Sequence, residues 1–291
     1  MTGRSANQHQ NPKNLRGVFT ALITPFRDGK LDEESFGRLL QQQIQAGLQG
    51  FVINGTTAES PNLSPSEVQR LFALARAQVP ASMPLIVGTG SNSTAKTVAD
   101  SQAAEAFGAD ALLVVVPYYN KPPARGLVEH FTAVADAVQI PVILYNVPGR
   151  TITSLDLESI EKLSRHPRIV GIKEATGDIG FAKQIRRSCG PEFILLSGDD
   201  ATYDEFMSAG GDGVISVASH VVPQAMLNRQ ATKNLAVIQS LFIEANPIPV
   251  KKALQLMGVI RTAELRLPLV ELAAAETEQL RQTLVAGGVL K

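Results

Sequence analysis

Ile169-Val-Gly-Ile-Lys173, running into Glu174-Ala-Thr-Gly177, is a short apolar segment rich in β-branched residues that closes on a lysine and then breaks into a polar turn. The same form recurs along the chain. Gly17 to Thr24, Phe51 to Asn54, Leu85 to Gly88, Ala111 to Val116, Val142 to Asn146, Phe193 to Ser197 and Gly213 to Val217 bring the number of such runs to eight, each preceding a stretch of helical period. Apolar strands alternating with amphipathic helices are the pattern of βα units around a parallel sheet. Between the second and third runs, Ser64 to Gln78 reads as a helix with Ser64 at the N-cap, Pro65 at the first helical position and Glu67 completing a capping box. Val68, Leu71, Phe72 and Ala75 then share one face, as do Leu127, Phe131, Val134 and Val138 after the fourth run.

Eight units predict an α/β fold, a (β/α)8 TIM barrel over 15–225, whose site lies where strand C-termini meet their loops. An open, doubly wound sheet is the alternative, because periodicity does not report closure. Residues 226–291 are expected to add helices packed on the barrel or used in assembly. Apolar helical patterns run around Leu241 to Ala245 and Val250 to Leu256, with the breakers Pro247 and Pro249 between them. Residues 1–14 are expected to form a polar arm.

Of the 291 residues 44% are hydrophobic and 19% charged, enough to bury a sizeable core and incompatible with a disordered or collagen-like chain. Lys plus Arg and Asp plus Glu are 27 each, so there is no basic excess to neutralise phosphates and nucleic acid is not an expected partner. A single cysteine, Cys189, forms neither an intrachain disulfide nor a structural zinc cluster, and points to the cytoplasm. Met1 to Asn14 lacks the apolar core of a signal peptide, and the longest apolar run, Ala111 to Val116, is far too short to span a membrane. A soluble protein without a membrane partner is expected.

The strand ends carry the chemistry. Gly55-Thr-Thr-Ala-Glu-Ser60, Pro117-Tyr-Tyr-Asn120, Tyr145-Asn-Val-Pro-Gly-Arg150 and Gly171-Ile-Lys-Glu-Ala-Thr-Gly177 place polar groups at one end of the proposed barrel. A lysine that closes an apolar strand puts its ammonium in a poorly hydrated mouth, where burial disfavours the charged form and leaves a nucleophilic amine. A neutral amine attacks a ketone and yields an iminium, an electron sink for making or breaking a carbon–carbon bond. Water loss needs a proton shuttle, for which Tyr145, Thr56 and Tyr119 are candidates. Each signal has an ordinary counterpart: a strand-end lysine beside Glu174 is usually solvated or ion-paired, tyrosines at strand ends pack as rim residues, and Thr-Thr after Gly is a common turn.

Taken together with Leu196-Ser-Gly-Asp-Asp200 and Asn246-Pro-Ile-Pro-Val-Lys251, these segments resemble the class I, Schiff-base aldolase and lyase superfamily typified by dihydrodipicolinate synthase and N-acetylneuraminate lyase. The resemblance covers nearly the whole chain from Gly17 onward. It implies that Lys173 forms the Schiff base with pyruvate, that Tyr145 is the acid and base beside it, and that Thr56 and Tyr119 complete a proton relay, Tyr119 coming from a neighbouring subunit. It further implies that Thr57 and adjoining backbone N–H groups seat the pyruvate carboxylate and that Gly198 and Ile215 line the adduct. Arg150 would grip the carboxylate of a second substrate, L-aspartate 4-semialdehyde, as a bidentate fork suits. The Tyr145-to-Thr151 stretch favours the synthase branch, on the route to diaminopimelate and lysine, over the sugar-acid lyases. A homotetramer built as a dimer of dimers is implied; no cofactor and no metal are expected. A pyruvate-dependent sugar-acid lyase and a catalytically silent barrel that binds a keto acid or a protein are the competing readings.

Two departures from the family pattern stand out. Ala58 occupies a position usually held by Gly, tolerable where φ is negative. Pro65, Val68 and Lys96 sit where lysine-inhibited bacterial members offer two histidines and a glutamate, whereas Ser60, Asn92 and Tyr118 are retained, so feedback by lysine is expected to be weak or absent. Other signals carry less. His9, His130, His166 and His220 lack ligand spacing. Gly88-Thr89-Gly90 reads as close backbone packing rather than a dinucleotide fingerprint, Asp199-Asp200 as a helix cap, and Cys189 as a non-catalytic thiol late in a helix.

Overall fold

Side chains alternate along each strand, and here that alternation separates two apolar layers. In the computed structural model, which describes residues 13–291, eight parallel strands close into one barrel. They are β1 (Gly17–Ala21), β4 (Gly50–Ile53), β5 (Leu85–Gly88), β6 (Ala111–Val115), β7 (Val142–Asn146), β8 (Ile169–Glu174), β9 (Ile194–Ser197) and β10 (Gly213–Ser216). Each pairs with its sequence neighbour in the barrel, and β1 closes the ring by pairing with both β4 and β10. Phe19, Val52, Ile86, Leu113, Ile143 and Leu196 fill the lumen. Val18, Phe51, Val87, Leu112, Leu144 and Leu195, one residue away in each strand, pack outward against the helices. The closed barrel thus replaces the open-sheet alternative.

The helix Pro65–Gln78 has the expected capping box, Ser64 accepting from the Glu67 N–H while the Glu67 carboxylate accepts from Ser64 N–H. Leu71, Phe72 and Ala75 are buried and Val68 half-buried. Leu127, Phe131 and Val134 are buried in the helix Ala124–Asp136, with Val138 buried just past its end. Two short strands, β2 (Phe26–Arg27) and β3 (Lys30–Leu31), form a hairpin outside the barrel. Its tip, Asp28-Gly29, has φ of 54° and 74°, and both N–H groups donate to the Glu264 carboxylate.

Beyond β10 lie helices Leu235–Ser240, Ile248–Leu256 and Ala274–Ala286, from which Ile238, Leu254, Leu280 and Leu284 join the outer apolar layer. The expected helix around Leu241 to Ala245 does not form: the preceding helix stops at Ser240, and an irregular segment carries Phe242 and Asn246 to the barrel mouth. Pro249 does not break structure either. It occupies the first turn of Ile248–Leu256, where an N–H would have no partner within the helix. Of the expected arm 1–14, residues 1–12, and His9 with them, lie outside the described residues. Lys13 pairs with Asp110 at 2.6 Å, and the Asn14 side chain accepts from Arg16 N–H. No described helix is long and apolar enough to cross a membrane.

Candidate active site

Gly171 and Lys173 project into the lumen from β8, whereas Ile172 and Glu174 point the other way. Adjacency in sequence therefore does not bring the Lys173 amine to the Glu174 carboxylate. Glu174 is buried behind the strand, accepting from Asn146 Nδ2 at 2.8 Å and from Thr176 N–H at 2.7 Å, and its burial pushes the carboxyl up from its ordinary value. Asn146 is itself fixed, its side-chain oxygen accepting from Leu155 N–H and the Ser154 hydroxyl. On the lumen side of the same two strands Tyr145 and Lys173 are register partners, just as Asn146 and Glu174 are. The polar clasp outside thus backs the Tyr145–Lys173 pair inside.

Lys173 is 6% exposed, with Nζ 4.2 Å from the centre of the Tyr145 ring. Among the described residues no carboxylate is within ion-pair reach of it. The amine faces a cavity of about 110 Å³ that Tyr145, Thr56, Thr57, Arg150, Gly198 and Ile215 also line. Gly198 is required there: a Cβ would sit 2.5 Å from that of Ala175 and 2.9 Å from Lys173 Cε. Thr56 and Thr57 belong to a single 3-10 turn, Thr56–Ala58, launched by Gly55 at the end of β4. Ala58 is buried in that turn and is not among the residues with positive φ, so its methyl is accommodated. The left-handed conformation falls instead on Glu59, at φ 59°.

Two residues of the mouth were not assigned a role from the sequence. Asn246 donates from Nδ2 to Thr57 Oγ1 at 2.9 Å and accepts on its backbone oxygen from the Arg150 guanidinium at 3.4 Å. Its buried Oδ1 has no partner and is free to accept from a ligand. Phe242, 43% exposed, walls the same cavity. Arg150 stands at the rim in the one-turn helix Pro148–Thr151. Around it opens a larger cavity of about 390 Å³ that shares Thr56, Tyr145 and Arg150 and extends past Ser60, Pro65, Val68, Lys96 and Tyr118.

Seven of the eight expected site residues therefore meet at one cavity. Tyr119 does not: it is 86% exposed, held at φ 74°, and lines neither cavity. The cap reading of Asp199-Asp200 does not hold: the helix Tyr203–Ser208 has Thr202 at its N-cap position and no side-chain cap. Asp199 accepts from the Thr202 N–H and hydroxyl, whereas Asp200 is buried and clamps the Val217 and Ala218 N–H groups at the end of β10. Gly88 and Gly90 do serve close packing, since a Cβ on either would overlap the backbone of Asn54 or Val115. Cys189 ends the helix Ile179–Cys189, and burial pushes its thiol up, away from the reactive thiolate.

A buried lysine amine without a counter-ion, set against a tyrosine at the C-terminal mouth of a parallel barrel, is the arrangement that a lyase of the class I, Schiff-base aldolase type requires. The comparisons with known proteins narrow the class. Residues 14–286 match the model of the dihydrodipicolinate synthetase family, and the chain belongs to that family. The chain is 56% identical over 292 residues to a 4-hydroxy-tetrahydrodipicolinate synthase of Bdellovibrio bacteriovorus, covering 96% of this chain and 100% of the relative. Among solved structures it is similar to dihydrodipicolinate synthase from Thermotoga maritima, with TM-score 0.91, 39% identity and 94% and 99% of the two chains covered. It is likewise similar to the chloride-inhibited dihydrodipicolinate synthase from Acinetobacter baumannii complexed with pyruvate, with TM-score 0.92, 39% identity and 95% and 100% covered.

Proposed function

We propose that Lys173 condenses pyruvate with L-aspartate 4-semialdehyde through an imine, giving 4-hydroxy-tetrahydrodipicolinate on the route to diaminopimelate and lysine. The observation that carries this reading is the Lys173 amine, buried, free of any carboxylate and open to a cavity beside Tyr145. Attack of the neutral amine on the pyruvate ketone forms a carbinolamine, which loses water to leave an iminium. Loss of a methyl proton gives the enamine, whose carbon attacks the semialdehyde aldehyde. The amino group of the second substrate then closes the ring on the imine carbon and releases Lys173.

The residues divide the work by position. Tyr145, against the amine, moves protons to and from the adduct, and Thr56 passes them on. Thr57, whose hydroxyl oxygen accepts from Asn246, seats the pyruvate carboxylate with neighbouring backbone N–H groups. Gly198 leaves room for the lysine stem, and Ile215 closes the wall. Arg150 at the rim binds the carboxylate of the semialdehyde. Tyr119 completes the relay from a second copy of the chain, in a homotetramer assembled as a dimer of dimers; its exposure and left-handed backbone support a side chain presented outward. We place the reaction in the cytoplasm.

Regulation by lysine is weak or absent on this reading. Pro65 and Val68 offer no polar side-chain atom to an amino acid in the larger cavity, and Lys96 pairs with Asp100 at 2.7 Å. Steady-state assays distinguish the branches of the superfamily. Condensation of pyruvate with the semialdehyde is expected to be fast and cleavage of N-acetylneuraminate negligible; the reverse ranking would overturn the assignment.

A further inference from the structure

Behind the turn that follows β4 lies a second buried lysine that the proposed chemistry does not use. Lys251 is fully buried, and its ammonium pairs with the equally inaccessible Glu59 carboxylate, donates to the Glu264 carbonyl at 2.8 Å and lies 4.3 Å from the centre of the Phe26 ring. The other Glu59 oxygen accepts from Arg266 N–H at 3.0 Å. Burial lowers the Lys251 ammonium from 10.5 to about 8, the cost of desolvation exceeding what Glu59 returns. Well-packed apolar groups often replace such a pair with no loss of stability, so stability alone is a weak reason for its presence.

Its location supplies a better one. Glu59 is the residue immediately after the turn Thr56–Ala58, and it adopts the left-handed backbone that ends that turn. Lys251 lies in the helix Ile248–Leu256, and Asn246 stands just before that helix. This helix and the residue leading into it therefore grip the turn and its cap at two points: Asn246 holds Thr57 from the cavity side, and Lys251 holds Glu59 from behind. The Arg266 guanidinium extends the hold to Glu67 and to the Asn62 carbonyl, fixing the start of the next helix.

We infer that the Lys251–Glu59 ion pair is a positioning device that sets the Thr56-Thr57 turn to receive the carboxylate of the keto acid. This rests on the Schiff-base reading above. It makes the segment beyond β10 part of the machinery for binding the first substrate.

The test uses the full chain and the double variant Glu59→Gln/Lys251→Met, which removes both charges, keeps an acceptor for Arg266 N–H and avoids stranding a carboxylate. Borohydride trapping of the parent with pyruvate, mapped to Lys173, establishes the underlying reading independently; an unlabelled parent sinks that reading and this inference with it. Given a labelled parent, the double variant is expected to melt within about 3 °C of it, with the KM for pyruvate raised about tenfold and the KM for the semialdehyde unchanged. An unchanged KM for pyruvate, or equal losses for both substrates, would overturn the positioning role. So would failure of the double variant to fold, which would make the pair a requirement of folding.

Discussion

Lys173 and Lys251 stand at the same end of one barrel, both almost wholly withdrawn from water, and differ in what surrounds the nitrogen. Lys251 meets a carboxylate, a carbonyl and an aromatic face. Lys173 meets an aromatic ring and a cavity. The contrast teaches that burial alone does not equip a lysine for imine chemistry; on the proposed reading, it is the lack of a counter-ion and the cavity beside the amine that set Lys173 apart. The strand geometry enforces the difference, because the carboxylate adjacent to Lys173 in sequence is turned through the barrel wall and spent on Asn146 and Thr176.

Exchanging each lysine for methionine is the strongest way to break the contrast. Lys173→Met is expected to lower turnover by at least about 10⁴-fold, as loss of a covalent nucleophile does, while leaving stability unchanged or improved because an unpaired buried amine is removed. Turnover within tenfold of the parent would dissolve the distinction. Lys251→Met should do the opposite to the fold, destabilising it by about 3–5 kcal/mol through the stranded Glu59 carboxylate. Denaturant unfolding of the two variants measures this, and equal stabilities would show that the pair at Lys251 is not the anchored one.

The contrast sharpens further at the groups proposed to serve the free amine. Tyr119→Phe is expected to cut turnover about 100-fold with an unchanged melting temperature, since the side chain is exposed in the isolated chain and contributes nothing to its core. Unchanged turnover would remove the tyrosine from the relay. The smallest effect concerns the larger cavity: added lysine is expected to inhibit only in the millimolar range or above, and a submillimolar inhibition constant would show that Pro65, Val68 and Lys96 do not abolish its binding.

The strands were legible in the sequence because residues buried on both faces of a barrel wall must be apolar almost throughout, which makes each run of four to six residues conspicuous. The Thr56-Thr57, Tyr145, Arg150 and Lys173 cluster was legible as polar residues where such runs end. What escaped depends on contacts distant in sequence. Asn246 reaches Thr57 across 189 positions, and nothing local marks either as the other's partner. Leu241 to Ala245 reads as helix by its apolar content, yet it runs as irregular chain that brings Phe242 to the mouth. The β2–β3 hairpin did leave a signal, an Asp-Gly pair suited to a tight turn with two positive φ values, but its two-residue strands are too short to show a period. Asp200 resembles a cap in sequence, and only the closure of the barrel brings Val217 and Ala218 to its carboxylate.

Reductive trapping addresses the amine itself. Incubation with pyruvate and borohydride, followed by peptide mapping, is expected to add one reduced pyruvate adduct to the peptide that carries Lys173 and none to the peptide that carries Lys251. A label on Lys251, or an unmodified Lys173, would contradict the account.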